Sequence, residues 1–204
     1  MMMFYRRESF KQFLQRYPII SLIIASNVAV FLYMGLVNGI WGSTPLVIKG
    51  GILPSEFIDG EYWRFVTYAF LHDGLTHLIM NMFFLIIIAP PLEVMIGKLR
   101  MLFLFGFTIL STSFIVSIGS QAGVGASGFT YGILGLYIYI VVFRKGFLDV
   151  NSRKIVLIWT IIGWVSTLLI PGISVLGHFG GFVGGFIFGM LAIRRNTLKH
   201  WSSI

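Results

Sequence analysis

Cysteine is absent from the 204 residues, and the four histidines are scattered. That excludes disulfides and thiolate metal centres and leaves little from which to build a zinc site. No metal and no cofactor is expected. Charge is scarce as well: only 11% of the residues are charged, and the stretch from Met101 to Phe143 holds no Asp, Glu, Lys, Arg or His. With 57% hydrophobic residues and a mean hydropathy of +0.90, the composition excludes an ordinary soluble domain and indicates a polytopic membrane protein. A net charge of +8 would suggest nucleic acid in a soluble chain. Here the basic residues sit at the ends of apolar runs, where they act as topology signals. No nucleic-acid partner is expected, and the lipid bilayer is the main surrounding.

About 17 to 20 apolar residues let a helix cross roughly 30 Å of hydrocarbon, and six stretches qualify: 19–37, 72–89, 101–119, 126–143, 155–170 and 177–193. The expected breaks are Pro18, the polar and aromatic stretch Asn38–Tyr68, Pro90-Pro91, the Gly/Ser/Gln cluster at 119–125, the basic loop 144–154, and Pro171-Gly172. The first run is too long for a cleaved signal and reads as a retained span. The fold class is therefore an all-α membrane protein with a six-transmembrane-helix bundle. It divides into an N-terminal tail (1–18), one six-span domain (19–195) and a C-terminal tail (196–204), with no internal repeat and no separate soluble domain.

Charge orients the bundle. Arg6, Arg7, Lys11, Arg16, Lys98, Arg100, Arg144, Lys145, Arg153, Lys154, Arg194, Arg195 and Lys199 all fall on one side of this plan, which leaves only Lys49 and Arg64 of the 15 basic residues for the other. The positive-inside rule then predicts both termini in the cytoplasm of a cell whose plasma membrane the chain crosses. The Asn38–Tyr68 loop, with Trp41, Phe57, Tyr62 and Trp63, faces outward as an aromatic belt or as a partly embedded element controlling access from lipid.

Polar residues inside such spans are costly and point to function. Ser127 lies 17 residues from Arg144, His178 lies 16 from Arg194, and His77 lies 16 from Glu93. At about 1.5 Å per residue, all three sit roughly 25 Å above the inner boundary, at one level close to the outer surface. Asn81 follows His77, and Tyr131 follows Ser127, by four residues, so each pair shares a helix face. Gly128, Gly132 and Gly135 on one span, and Gly181 and Gly185 on another, form small-residue stripes that allow close backbone approach. Packing those stripes together would bring Ser127 near His178.

A serine hydroxyl needs a base to take its proton, and histidine is the usual one. Every acidic residue falls outside the last three spans near His178, so a Ser127–His178 dyad is expected, its imidazole held by packing, with the Tyr131 ring as the candidate surface. His77, Asn81 and the backbone amide of Ser127 are the candidate donors to a developing oxyanion.

Five motifs extend this reading. They are Gly60-Glu61-Tyr62-Trp63-Arg64, His77-Leu78-Ile79-Met80-Asn81, Glu93 with Gly97, Gly125-Ala126-Ser127-Gly128, and His178-x-x-Gly181-x-x-x-Gly185. From about Gly60 to Arg195 the chain resembles the rhomboid family of intramembrane serine proteases. The resemblance implies that Ser127 is the nucleophile, His178 the base, and His77 and Asn81 oxyanion donors, with Gly125, Gly128, Gly181, Gly185, Trp63, Arg64 and Glu93 in support, beside Tyr131 from the helix-face reading. It also implies a substrate that is itself a membrane-spanning helix, cut near its outer end, and a minimal six-helix form. Ala89 stands where many members have glycine, and Pro90-Pro91 is unusual. Span five, with Trp159 and Trp164, and the 171–177 loop are candidate gates. A reading from another class is a catalytically silent membrane-helix binder using the same fold for quality control.

Overall fold

The computed structural model describes residues 3–194 and Leu198. The expected C-terminal tail, Lys199 included, lies outside the described residues except for Leu198, and so does Arg195. Among the described residues the elements are helical: α1 (Phe10–Arg16), α2 (Pro18–Asn38), α3 (Ser43–Gly50), α4 (Arg64–Thr67), α5 (Gly74–Ile96), α6 (Lys98–Ile118), α7 (Ser127–Phe143), α8 (Val150–Leu169) and α9 (Val175–Ala192), with short 3-10 turns at Ser55–Phe57 and Tyr68–Phe70. Helices α2, α5, α6, α8 and α9 are long and apolar enough to cross a membrane, and α7, at 17 residues, is the sixth apolar helix.

Local chemistry sets the boundaries. Ser9 and Gln12 form a reciprocal capping box that starts α1, and Pro18 begins α2 at a position where its missing N–H is not needed. Gly39 ends α2 in the left-handed region, φ 65°. Asp149 and Ser174 cap α8 and α9 with their side-chain oxygens.

The expected break at Pro90-Pro91 is not there. Helix α5 runs through both prolines to Ile96 and turns at Gly97, φ 85°, directly into α6. Pro90 has no N–H for the carbonyl of Ile86, four residues earlier, and such an orphan in a membrane helix must find another donor. Arg6 supplies it, its Nη2 donating to the Ile86 carbonyl at 2.5 Å. The basic loop is also shorter than expected: α8 starts at Val150, so Arg153 and Lys154 are its fourth and fifth residues. The N-terminal segment packs against the bundle, with Met3 buried, its amide donating to Ser152 Oγ, and Phe4 edge-on to Tyr137.

Glu93 ties the first span to the second. Its buried carboxylate accepts the amides of Ile19 and Ile20 at 3.0 Å each, satisfying two donors that the start of α2 cannot satisfy internally and placing negative charge at the positive end of its dipole. Replacing Glu93 by Leu would strand both donors, and Glu93→Leu should lower stability by about 2–4 kcal/mol. Unfolding in mixed detergent–SDS micelles measures this, and Glu93→Gln, which keeps an acceptor, should recover part of the loss.

The centre of the bundle is α6, α7 and α9. A Cβ added to Gly181 would meet the Gly128 carbonyl, one added to Gly185 the Gly132 carbonyl, and one added to Gly135 the Phe182 carbonyl. On the third side Gly180 and Gly184 face Ser111 and Thr112 of α6, while Gly128 and Gly132 face Thr112 and Thr108. Van der Waals contact drives helix association in lipid, so this close approach is the cohesion of the fold. Helix α8 is peripheral: 17% of its apolar window is buried, against 61% for α5.

Candidate active site

Helices α5, α7 and α9 present their N-terminal ends at one end of the bundle. His77 is the fourth residue of α5, Ser127 the first of α7, and His178 the fourth of α9. All three line one cavity of about 910 Å³, together with Asn81, Thr130, Tyr131, Trp159, Gly163, Ser166 and Thr167. The Gly128–Gly181 contact explains the proximity, because it locks the backbones one residue after Ser127 and three after His178.

The loop ahead of Ser127 is fixed from outside the bundle. Ile52 and Gly123 exchange backbone hydrogen bonds of 3.0 and 3.1 Å, and the Gly125 amide donates to the Tyr68 carbonyl at 2.8 Å. Gly125 has φ 125°, and a Cβ there would lie 2.9 Å from the His77 ring and 3.9 Å from Ser127 Oγ. Both conformation and space therefore require glycine at this point.

His77 Nδ1 accepts the Asp73 amide at 3.2 Å, so the proton of the neutral ring resides on Nε2, the atom beside Gly125. One amide hydrogen of Asn81 goes to the His77 carbonyl at 3.0 Å, and the other remains to donate. The His178 ring stacks on Tyr131, centroids 3.8 Å apart and planes at 13°, and its Nδ1 lies 2.7 Å from Thr167 Oγ1. No hydrogen bond joins Ser127 Oγ to His178 among the described residues, although both residues line the cavity.

Trp63, Arg64 and Glu93 stand away from the cavity. Buried Arg64 pairs with Glu61 and donates to the carbonyls of Val47, Ile48 and Gly51, closing the C-terminal end of α3, whose Val47 lines the cavity. Trp63 is exposed. Two residues near the centre have little sequence signal. Thr167 reads as one more β-branched residue in an apolar span. His72 precedes α5, is 1% exposed, and accepts the Ala126 amide through Nε2 at 3.5 Å, while its ring meets that of His77 edge-on at 5.1 Å. Burial, reinforced by neighbouring His77, pushes the His72 imidazole down to about 3, so it stays neutral and serves as an acceptor. The described residues contain no group of three or more His, Cys, Asp or Glu able to hold a metal.

The profile of the family described as "Rhomboid domain" matches residues 59–195. The candidate rhomboid protease YdcA of Bacillus subtilis is 28% identical over 204 residues, covering 97% of this chain and 100% of that protein. The rhomboid protease GluP of the same organism is 33% identical over 169 residues, 81% of this chain but only 33% of GluP. An inactive rhomboid-related protein of Caenorhabditis elegans is 26% identical over 217 residues, 94% of this chain and 62% of that protein. The chain thus spans all of YdcA but a third of GluP. A family profile covering more than half of the chain, on an all-helical bundle of apolar spans, establishes a multi-pass membrane protein that belongs to the rhomboid family.

Proposed function

We propose that this chain is an intramembrane serine endopeptidase that cuts transmembrane helices of other membrane proteins near their extracytoplasmic end, with Ser127 as nucleophile and His178 as general base. The observation that carries the reading is the shared cavity: a helix-terminal serine and a stacked histidine, brought together by glycine-on-glycine contact, with a second imidazole edge beside them. The arrangement of basic residues supports cytoplasmic termini in the plasma membrane, which puts the cavity at the outer face.

The chemistry follows from the groups present. On substrate binding Ser127 Oγ rotates to donate to His178 Nε2; such bonds often tighten only in the Michaelis complex. As Oγ bonds to the scissile carbonyl carbon, its proton passes to Nε2 and the carbonyl π pair moves onto oxygen. His77 Nε2–H, the second Asn81 amide hydrogen and the Ser127 backbone N–H, one of the free donors at the start of α7, stabilise that oxygen. Collapse breaks the C–N bond, Nε2 returns the proton to the departing amine, and water repeats the cycle on the acyl-enzyme. Because three donors share the charge, Asn81→Ala should lower kcat by roughly 100-fold or less while the protein stays folded. Cleavage of a reconstituted substrate helix measures this, and a loss as complete as that of Ser127→Ala would contradict a shared oxyanion hole.

Peripheral α8, which meets α5 through the edge-on Phe84–Trp159 pair at 5.2 Å, supports access from lipid between these two helices. The substrate must also leave its helix to lie extended over Ser127, so Gly or Pro near the cut should favour cleavage. Mass spectrometry of membrane proteins from cells bearing the wild type or Ser127→Ala maps the cut sites. Cuts inside outer helix ends that vanish with the variant are expected. Identical peptides in both would favour the second reading, a helix binder without catalysis, which the inactive relative keeps in view.

A further inference from the structure

We propose that Thr167 of α8 is the positioning residue for the base, holding His178 in the tautomer whose Nε2 is free to accept the Ser127 proton; this rests on the proteolytic reading above. An imidazole that must take a proton at Nε2 has to carry its own proton on Nδ1, and in serine proteases a carboxylate usually enforces that choice. No carboxylate lines this cavity except that of Asp73, which belongs to the turn before α5. At Nδ1 stands Thr167 Oγ1 instead, 2.7 Å away.

A hydroxyl can donate or accept, so its other partners decide its role. Thr167 Oγ1 is 2.8 Å from the Gly163 carbonyl and 2.5 Å from the Tyr131 hydroxyl. Tyr131 has an acceptor of its own in that same carbonyl, at 2.6 Å. With the Tyr131 proton on the Gly163 carbonyl, the hydrogen that two oxygens 2.5 Å apart need between them comes from Thr167, which donates to the Tyr131 oxygen. The Thr167 lone pairs are left facing Nδ1, so Nδ1–H donates to Thr167 and Nε2 stays unprotonated until Ser127 delivers its hydrogen. Thr167 keeps its proton throughout; only the Ser127 proton moves. Tyr131 thereby holds the base twice, by stacking on its ring and by fixing the hydroxyl that orients it.

This placement also links chemistry to helix position. Thr167 and Gly163 sit on α8, the least embedded apolar helix, so displacement of α8 would separate Oγ1 from Nδ1 and release the ring. A seated α8 is then a condition for an active base.

The test compares Thr167→Val, which keeps shape but removes the hydroxyl, with Thr167→Ser, which keeps the hydroxyl, using cleavage by the full chain in liposomes. We expect kcat of Thr167→Val to fall roughly 10- to 100-fold with KM within about twofold, and Thr167→Ser to restore kcat to within about threefold of wild type. Wild-type kcat in Thr167→Val, or a Thr167→Ser variant as slow as Thr167→Val, overturns the proposal. Should Thr167→Val fail to fold, 15N NMR of histidine-labelled wild type, with His178→Ala identifying the signal, reads the tautomer directly: Nδ1–H is expected, and Nε2–H overturns the assignment. If Ser127→Ala and His178→Ala abolish cleavage while Thr167→Val does not, Thr167 alone is misassigned. Undiminished cleavage by Ser127→Ala would instead remove the proteolytic reading itself.

Discussion

Ser127→Ala and His178→Ala should each reduce cleavage of a membrane-embedded reporter helix by about 10⁴-fold or more, and the double variant should be no slower than either alone. Nucleophile and base act as one unit: without the hydroxyl there is nothing to acylate, and without the imidazole the hydroxyl keeps its proton, so most of the loss comes with the first substitution. Neither change should disturb the bundle. Ser127 opens α7 without a side-chain cap bond, and His178, although stacked on Tyr131, lies outside the glycine contacts that join α7 to α9. Single-turnover kinetics in proteoliposomes measure both variants. Clearly additive losses would show that the two residues do not share a step.

The second large effect is structural. Gly185→Ala should destabilise the folded bundle by about 3 kcal/mol and abolish activity with it. The added carbon would press on the Gly132 carbonyl oxygen, with the carbonyl carbon 2.5 Å away and Cα 2.7 Å away. These are backbone atoms that no rotamer change can move, so α7 and α9 must separate, and the cavity between their ends loses its geometry. Gly181→Ala should act likewise, against the Gly128 backbone at 2.8 and 2.9 Å. Gly106→Ala is the matched control, because a Cβ there meets nothing within 4 Å and alanine is the better helix former. Thermal unfolding in detergent should separate the two classes, and equal stability of Gly185→Ala and Gly106→Ala would contradict the packing account.

Much of this was legible in the chain. Hydropathy marks the spans because hydrocarbon thickness dictates their length, and one polar level is readable because helical rise is constant. The stripes around Gly128 and Gly181 announce close approach because only glycine permits it. What stayed hidden depends on partners distant in sequence. Pro90-Pro91 looks like a stop until Arg6, 80 residues from Ile86, is seen to satisfy the carbonyl that Pro90 leaves open. Glu93 gives no hint that its acceptors serve the start of α2. Thr167 has no helical-face relation to His178, since a turn separates their helices, and the packing of α8 against α7 and α9 brings its hydroxyl to the ring.

The most direct measurement of the central claim is covalent labelling. The protein in liposomes is treated with a fluorescent phosphonate, which reacts with an activated serine, and the adduct is located by mass spectrometry. The account predicts one adduct, on Ser127, absent from Ser127→Ala and slowed at least about 10³-fold in His178→Ala. Folded protein that never labels at Ser127, or that labels at the same rate without the His178 imidazole, would contradict it.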